Sequence, residues 1–354
     1  MNPLHEVDHR AFGSDNHAGV LPEVLQALVA ANGGHQTAYG ADRYTARLAE
    51  VLAQLFGRAV ECYPVFTGTG ANVIALQAMS PPWGAVICAE SAHINTDENA
   101  APERIGRLKL LPVPTPDGKL TPELVASRTA GRGDEHRAQP AVVSITQSTE
   151  LGTCYTREEI AALCDQAHGL GLRVHLDGAR LANAAVTLGA SLAELTVDAG
   201  VDVVCLGGTK NGALGAEAVV VLEPAAVQGV GYLRKIDMQL ASKMRFVSAQ
   251  LLALFDGDLW LRSAGHANAM ALRLRDALVD LGVPIAQSVE ANAVFAVLPT
   301  EAAGRLRERF VFYDWDGVPG LVRLMCAFDT TADDVDHFAA AVAHELGVRP
   351  VPGR

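Results

Sequence analysis

Short apolar runs alternating with amphipathic stretches fill residues 61–224, and this alternation restricts the possible folds more than any other feature. ECYPVFT (61–67), WGAVICAE (83–90), RLKLLPVP (107–114), PAVVSITQ (140–147), LRVHLDGA (172–179), VDVVCLGG (201–208) and AEAVVVLEP (216–224) read as strands. The clearest helix between them follows Thr156, which forms a capping box with Glu159 ahead of Ile160, Leu163, Cys164 and Ala167 at one-face spacing. Gly169 and Gly171 stop it. Such alternation predicts an α/β fold, a mostly parallel sheet covered by helices. From about Leu251 the texture changes to a long helical pattern ending at Leu281, then AVFAVLP, a helix of the RLRERF type, FVFYDW and LVRLMCAF. Thr331 caps a last helix with Val335, Phe338, Ala339, Val342 and Leu346 on one face. At roughly 150 residues per domain, a chain of 354 holds about two. We expect an N-terminal segment (1–15), a large domain (16–250) and a small C-terminal α/β domain (251–354).

Composition excludes several classes. Apolar residues make up 49% and charged residues 19%, so cores can form and disorder is not expected. The formal charge of −12, without a Lys/Arg run, argues against a nucleic-acid binder and against an anionic membrane surface. No apolar stretch is long enough to span a bilayer, and MNPLHEVDHRAFGSDN does not read as a secretory signal. The expectation is a soluble, cytoplasmic protein. Its six cysteines contain no CxxC pair, so neither a metal site nor a redox pair is expected.

Only five lysines occur, and Lys210 stands apart from the other four, which lie among charged or polar neighbours. It follows an apolar strand within CLGGTKNGALG, at the kind of strand end where α/β proteins place ligands. A lysine in a partly dry pocket can act as a nucleophile. Asp177, in HLDGAR, ends the preceding strand, so parallel pairing brings it to the same edge. That pair suits pyridoxal phosphate, which needs a Schiff-base lysine and an acid partner for its ring nitrogen. The plain alternative is that Asp177 caps a helix and pairs with Arg180 at the surface. TGTGAN (67–72) is a strand-to-helix turn able to cradle one phosphate, or simply a tight turn; Val73 excludes the dinucleotide fingerprint. His93, in SAHINTDE, could stack on a flat ring, act in acid–base chemistry, or be a structural histidine.

Together these residues resemble the low-specificity L-threonine / L-allo-threonine aldolase family, fold type I pyridoxal-phosphate enzymes. FGSDNHAG, GHQTAYGADRYT, FTGTGAN, ESAHINTDE, ITQSTELGT, HLDGAR, GGTKNG, ASKMRF and VRLMCAFDTT carry the likeness along nearly the whole chain. The resemblance implies a large domain built on a mostly parallel, seven-stranded sheet. It makes Lys210 the Schiff-base lysine, Asp177 the partner of the ring nitrogen, and Gly68 and Thr69 the phosphate holders. His93 would stack on the ring, and Arg245 would lie near the phosphate. Ser14, Arg180 and Arg323 would grip the substrate carboxylate, with Arg180 also near the cofactor's phenolic oxygen. His136 would lie near the substrate hydroxyl, and Tyr39 would reach a neighbouring subunit's site in a dimer of dimers. Gly70 departs from other branches, which carry a bulkier polar residue there.

The implied reaction is retro-aldol cleavage of threonine, allo-threonine or a related β-hydroxy amino acid to glycine and an aldehyde. His93 or His136, directly or through water, would take the hydroxyl proton. The alternative is another fold type I reaction, β-elimination or transamination, on a related amino acid.

Overall fold

The computed structural model describes residues 3–315 and 318–348; the outermost parts of the expected terminal segments, 1–2 and 349–354, lie outside these. All seven strand-like runs form strands: β1 Glu61–Val65, β2 Gly84–Ala89, β3 Lys109–Val113, β4 Gln139–Thr146, β5 Arg173–Gly178, β6 Val203–Gly207 and β7 Glu217–Val221. They make one sheet in the order β1-β7-β6-β5-β4-β2-β3. Every pairing is parallel except those of β7, which runs antiparallel to both β1 and β6. The central strands β2, β6 and β7 are buried along their whole length, as expected of strands covered on both faces. The Thr156–Glu159 capping box is present, and Ile160, Leu163, Cys164 and Ala167 of that helix are all buried.

The C-terminal unit holds a three-stranded antiparallel sheet in the order β8-β10-β9, with β8 Ala293–Val297, β9 Tyr313–Asp314 and β10 Leu321–Met325. The expected continuous helix to Leu281 is broken. One helix ends at Phe255 and the next runs Leu259–Asp280, because Gly257 between them takes a φ of 146°. The RLRERF segment is mostly non-helical, since its helix, Thr300–Leu306, stops there. In the helix Leu259–Asp280, Leu259, Trp260 and Ala264 belong to the large core, whereas Ala271, Leu274 and Leu278 belong to the small one. The N-terminal segment joins the small unit: Phe12 lies in its core and bonds through its backbone to Val311 and Met325. This contact carries residues 13–17 to the space between the two sheets.

Candidate active site

The C-terminal ends of β1, β2, β4, β5 and β6 open on one edge of the large sheet. β7, being antiparallel, brings its first residue to that edge, with Glu217 opposite Val65 and Gly207. Polar turns follow each parallel strand, and the buried side chains of these turns form the site.

Asp177 and Lys210 meet there as expected. Asp177 ends β5 in register with Thr146 and Cys205, and Lys210 lies in a short 3-10 turn directly after β6. Two glycines let that turn pass. A Cβ on Gly207 would stand 2.6 Å from the Ala179 carbonyl, and one on Gly208 would stand 2.6 Å from that of Ala216. The Asp177 carboxylate accepts the Ala179 N–H at 3.0 Å and the Asn72 amide at 2.9 Å. Burial alone would raise its pKa, but the Lys210 charge and the Asn72 bond prevail and hold it below the usual carboxylate range. Behind it, His175 bonds Ser144 at 2.9 Å and Cys205 at 3.2 Å, and burial keeps its imidazole neutral, with a pKa pushed down to about 4. The charge of Arg180, then burial, lowers the Lys210 pKa from the ordinary lysine value.

His93 is anchored rather than free. Its backbone N–H donates to Glu150 at 2.7 Å and its Nδ1 faces Glu98 Oε1 at 2.8 Å. Glu98 Oε1 also accepts from Asn72 at 2.9 Å, so one carboxamide links Glu98 to Asp177. Glu150 is half-buried and also accepts from Thr146 at 3.0 Å; desolvation, with Asp177 nearby, raises its pKa.

Arg180 and Arg323 approach each other across the edge. Arg180 makes a two-pronged ion pair with buried Asp15, at 2.7 and 2.9 Å. Arg323, on β10, reaches the Gly13 carbonyl at 3.4 Å and lies 5.5 Å from the Trp315 ring centroid. Its Nε is buried without a partner among the described residues. Burial, then the Arg180 charge, lowers its pKa. Asp15 thus pairs directly with Arg180, while no carboxylate bonds Arg323 among the described residues.

Thr67 caps the helix Gly68–Met79 by accepting the Gly70 N–H at 3.1 Å, which leaves the N–H groups of Gly68 and Thr69 outside the intrahelical ladder. The space beside Gly68 is open, with nothing within 4 Å of a Cβ built there. At Gly70 a Cβ would lie 2.5 Å from the Gln239 side chain, whose carboxamide accepts the Phe66 N–H at 3.1 Å and would have to move aside. An open anion cradle, a half-buried lysine and a buried carboxylate facing it are the features pyridoxal phosphate requires, and these residues fit that group.

Three of the expected residues stand elsewhere in this chain, and the fourth, Ser14, lies beside the site with its hydroxyl engaged locally. His136 is exposed in the turn before β4, at the opposite edge of the sheet; eight strand residues separate that turn from Thr146, about 25 Å at the usual rise. Ser14 uses its hydroxyl to cap a 3-10 turn, and its neighbour Asp15 is the residue that reaches Arg180. Tyr39 is exposed, its N–H on the Ser242 carbonyl, while Arg245 donates to the Gly34 carbonyl. These last two hold the 32–41 loop against the 235–245 segment instead of touching Lys210 or Asp177. Conversely, Asp15, Asn72, Glu98, Glu150 and Glu217 belong to the site and were not expected from the sequence.

A strand-end lysine facing a buried carboxylate on a seven-stranded α/β sheet of this order defines a fold type I enzyme. The beta-eliminating lyase family matches residues 11–301. The low specificity L-threonine aldolase of Pseudomonas aeruginosa is 42% identical over 344 residues, covering 96% of this chain and 99% of that protein. That of a Pseudomonas sp. is 42% identical over 334 residues, covering 94% and 96%. Among solved structures, Leishmania major threonine aldolase superposes with a TM-score of 0.90 at 28% identity, covering 95% of this chain and 99% of that one. The chain belongs to the beta-eliminating lyase family and is a lyase of the low specificity L-threonine aldolase group.

Proposed function

We propose that this enzyme binds pyridoxal 5'-phosphate and cleaves L-threonine, L-allo-threonine and related β-hydroxy-α-amino acids to glycine and an aldehyde. The observation that carries the reading is Arg323 beside Arg180, a guanidinium whose buried Nε has no partner among the described residues and which a substrate carboxylate can bond. The names of the Pseudomonas relatives support the substrate class.

Gly68 and Thr69 would hold the phosphate through their N–H groups, Asp177 the ring nitrogen, and Lys210 the carbonyl carbon of the cofactor. When bound, pyridoxal phosphate supplies an acceptor for the electron pair released as the Cα–Cβ bond breaks. Arg323 grips the substrate carboxylate, and Arg180, held rigid by Asp15, adds the second positive charge. Fixing the carboxylate fixes rotation about the Cα–N bond, and so selects which bond at Cα breaks. His93, on the same edge, takes the proton of the β-hydroxyl as the aldehyde carbonyl forms; His136 is too distant to share that task within its own chain. Asp177, ionised at neutral pH, keeps the ring nitrogen protonated.

Large apolar side chains stand exposed around the Tyr39 loop and the neighbouring segments: Phe66, Tyr232, Ile236 and Met238. Such a cluster fits a homo-oligomer in which the partner's loop, with Tyr39 and Arg245, covers this site. Mixing inactive Lys210→Ala and impaired Tyr39→Phe subunits should then restore activity above either parent. No helix among the described residues is long and apolar enough to cross a membrane, and all six cysteines are free, which suits a reducing cytoplasm.

The test is a panel of β-hydroxy amino acids incubated with the protein and pyridoxal phosphate. Equal amounts of glycine and aldehyde support the reading. A 2-keto acid without glycine would mean β-elimination or transamination on the same scaffold.

A further inference from the structure

We propose that Glu98 is the positioning residue that makes His93 a base, by fixing its imidazole with the proton on Nδ1 and the lone pair on Nε2. The inference rests on the reading of the site as one that deprotonates a β-hydroxyl, and it assigns the group that prepares the histidine to do so.

Glu98 follows β2 by nine residues in the chain, and its side chain is 0% exposed. Its Oε1 lies 2.8 Å from His93 Nδ1 and 2.9 Å from Asn72 Nδ2. The orientation of Asn72 follows from chemistry. Its nitrogen stands between two carboxylates, Glu98 and Asp177, each at 2.9 Å, and the flipped carboxamide would set an oxygen against both. Glu98 Oε1 already accepts from the Asn72 amide, and as the acceptor facing His93 it places the hydrogen of that bond on Nδ1. A neutral imidazole has one N–H, which leaves Nε2 as the acceptor. His93 Nε2 has no protein partner among the described residues, while the ring is 35% exposed toward the cleft.

The carboxylates of Glu98 and Asp177 act on His93 in the same direction. Glu98 faces it from its own turn, Glu150 from the loop after β4 and Asp177 from β5; Lys210, after β6, is the opposing cation. The bond to Glu98 raises the His93 pKa above the ordinary histidine value, against burial, with the charges of Glu98 and Asp177 adding to it. Glu98 thus does two things: it sets which nitrogen faces the substrate, and it strengthens that nitrogen as a base. The same Asn72 bridge ties the base rigidly to Asp177, so the two stay aligned across the site.

The test uses Glu98→Gln, which keeps shape and removes charge, and Glu98→Asp, which keeps charge on a shorter stem. Histidine NMR on the cofactor-free protein reads tautomer and titration midpoint directly, with His93→Asn identifying the signal. The expected result is an Nδ1–H tautomer in the native chain and a His93 midpoint about one pH unit lower in Glu98→Gln, partly recovered in Glu98→Asp. In the loaded enzyme, the acid limb of kcat/KM against pH should move down with that midpoint, and the plateau should fall about tenfold. An unchanged midpoint in Glu98→Gln, or an Nε2–H tautomer in the native protein, overturns the proposal. If no β-hydroxy amino acid releases glycine, the functional reading fails, and the NMR result still decides the role of Glu98.

Discussion

Replacing Arg323 with methionine separates binding from folding at this site. Among the described residues, Arg323 makes one long bond, 3.4 Å to the Gly13 carbonyl, and one stacking contact with Trp315. The contact is worth about 0.5–1 kcal/mol, and the bond is too long to add much. Burial and repulsion from Arg180 act in the opposite direction. Folding therefore gains little from this guanidinium, and methionine can keep the packing against the indole. A substrate carboxylate, by contrast, loses a charge-assisted pair of hydrogen bonds costing about 3 kcal/mol, which is roughly a hundredfold in affinity. The expected result is a kcat/KM for glycine release lower by roughly a hundredfold, mostly through KM, with Tm shifted by less than about 4 °C. Steady-state kinetics with saturating pyridoxal phosphate and a thermal scan measure both. A loss below about threefold would show that the carboxylate binds elsewhere, and a collapse of Tm in step with activity would make Arg323 a structural residue.

Asp177→Asn should lower kcat by about a hundredfold or more, as for removal of one preorganised charge from a dry site, while costing about 1–3 kcal/mol of stability; turnover close to native would refute its role. Glu217, lifted by burial to about 7, stays protonated in the folded chain at pH values where the unfolded chain ionises. The folded state then binds the extra proton, so stability falls as pH rises from 4.5 to about 7 and levels off above it. In the cofactor-free protein, Glu217→Gln should flatten that slope, gaining roughly 3 kcal/mol at the plateau; parallel stability curves for the two proteins would contradict it. His136→Ala should leave kcat/KM within about twofold of native, since its exposed turn lies at the far edge of the sheet, and a larger loss would mean that this turn reaches a site in another subunit.

The strands were legible because each is a short apolar run between polar turns, and burial on both faces leaves that mark. Lys210 and Asp177 were legible for a related reason: strand-end residues flanked by glycines stand out in a sequence. The position of His136 was legible too, because a residue just before a parallel strand lies at the edge opposite to a residue just after one. Glu217 follows the reverse logic, arriving at the active edge only because β7 runs antiparallel, and strand direction leaves no mark in residue order. Asn72, Glu98 and Glu150 are common polar residues in the sequence. They become site residues through burial against segments distant in the chain, as when the Asn72 carboxamide bridges Glu98 and Asp177. Asp15 was hidden in another way: the neighbouring Ser14 matched the resemblance, but its hydroxyl is used as a cap.

Borohydride reduction in the presence of pyridoxal phosphate, followed by peptide mapping, tests the central claim most directly. Of the five lysines, Lys210 is the one whose charge acts on the Asp177 carboxylate. The label should fall on Lys210, in the peptide containing GGTKNG, and Lys210→Ala should lose both the label and glycine release while keeping its fold. Labelling of Lys109, Lys119, Lys235 or Lys243 with Lys210 untouched, or glycine release that survives in Lys210→Ala, would contradict it.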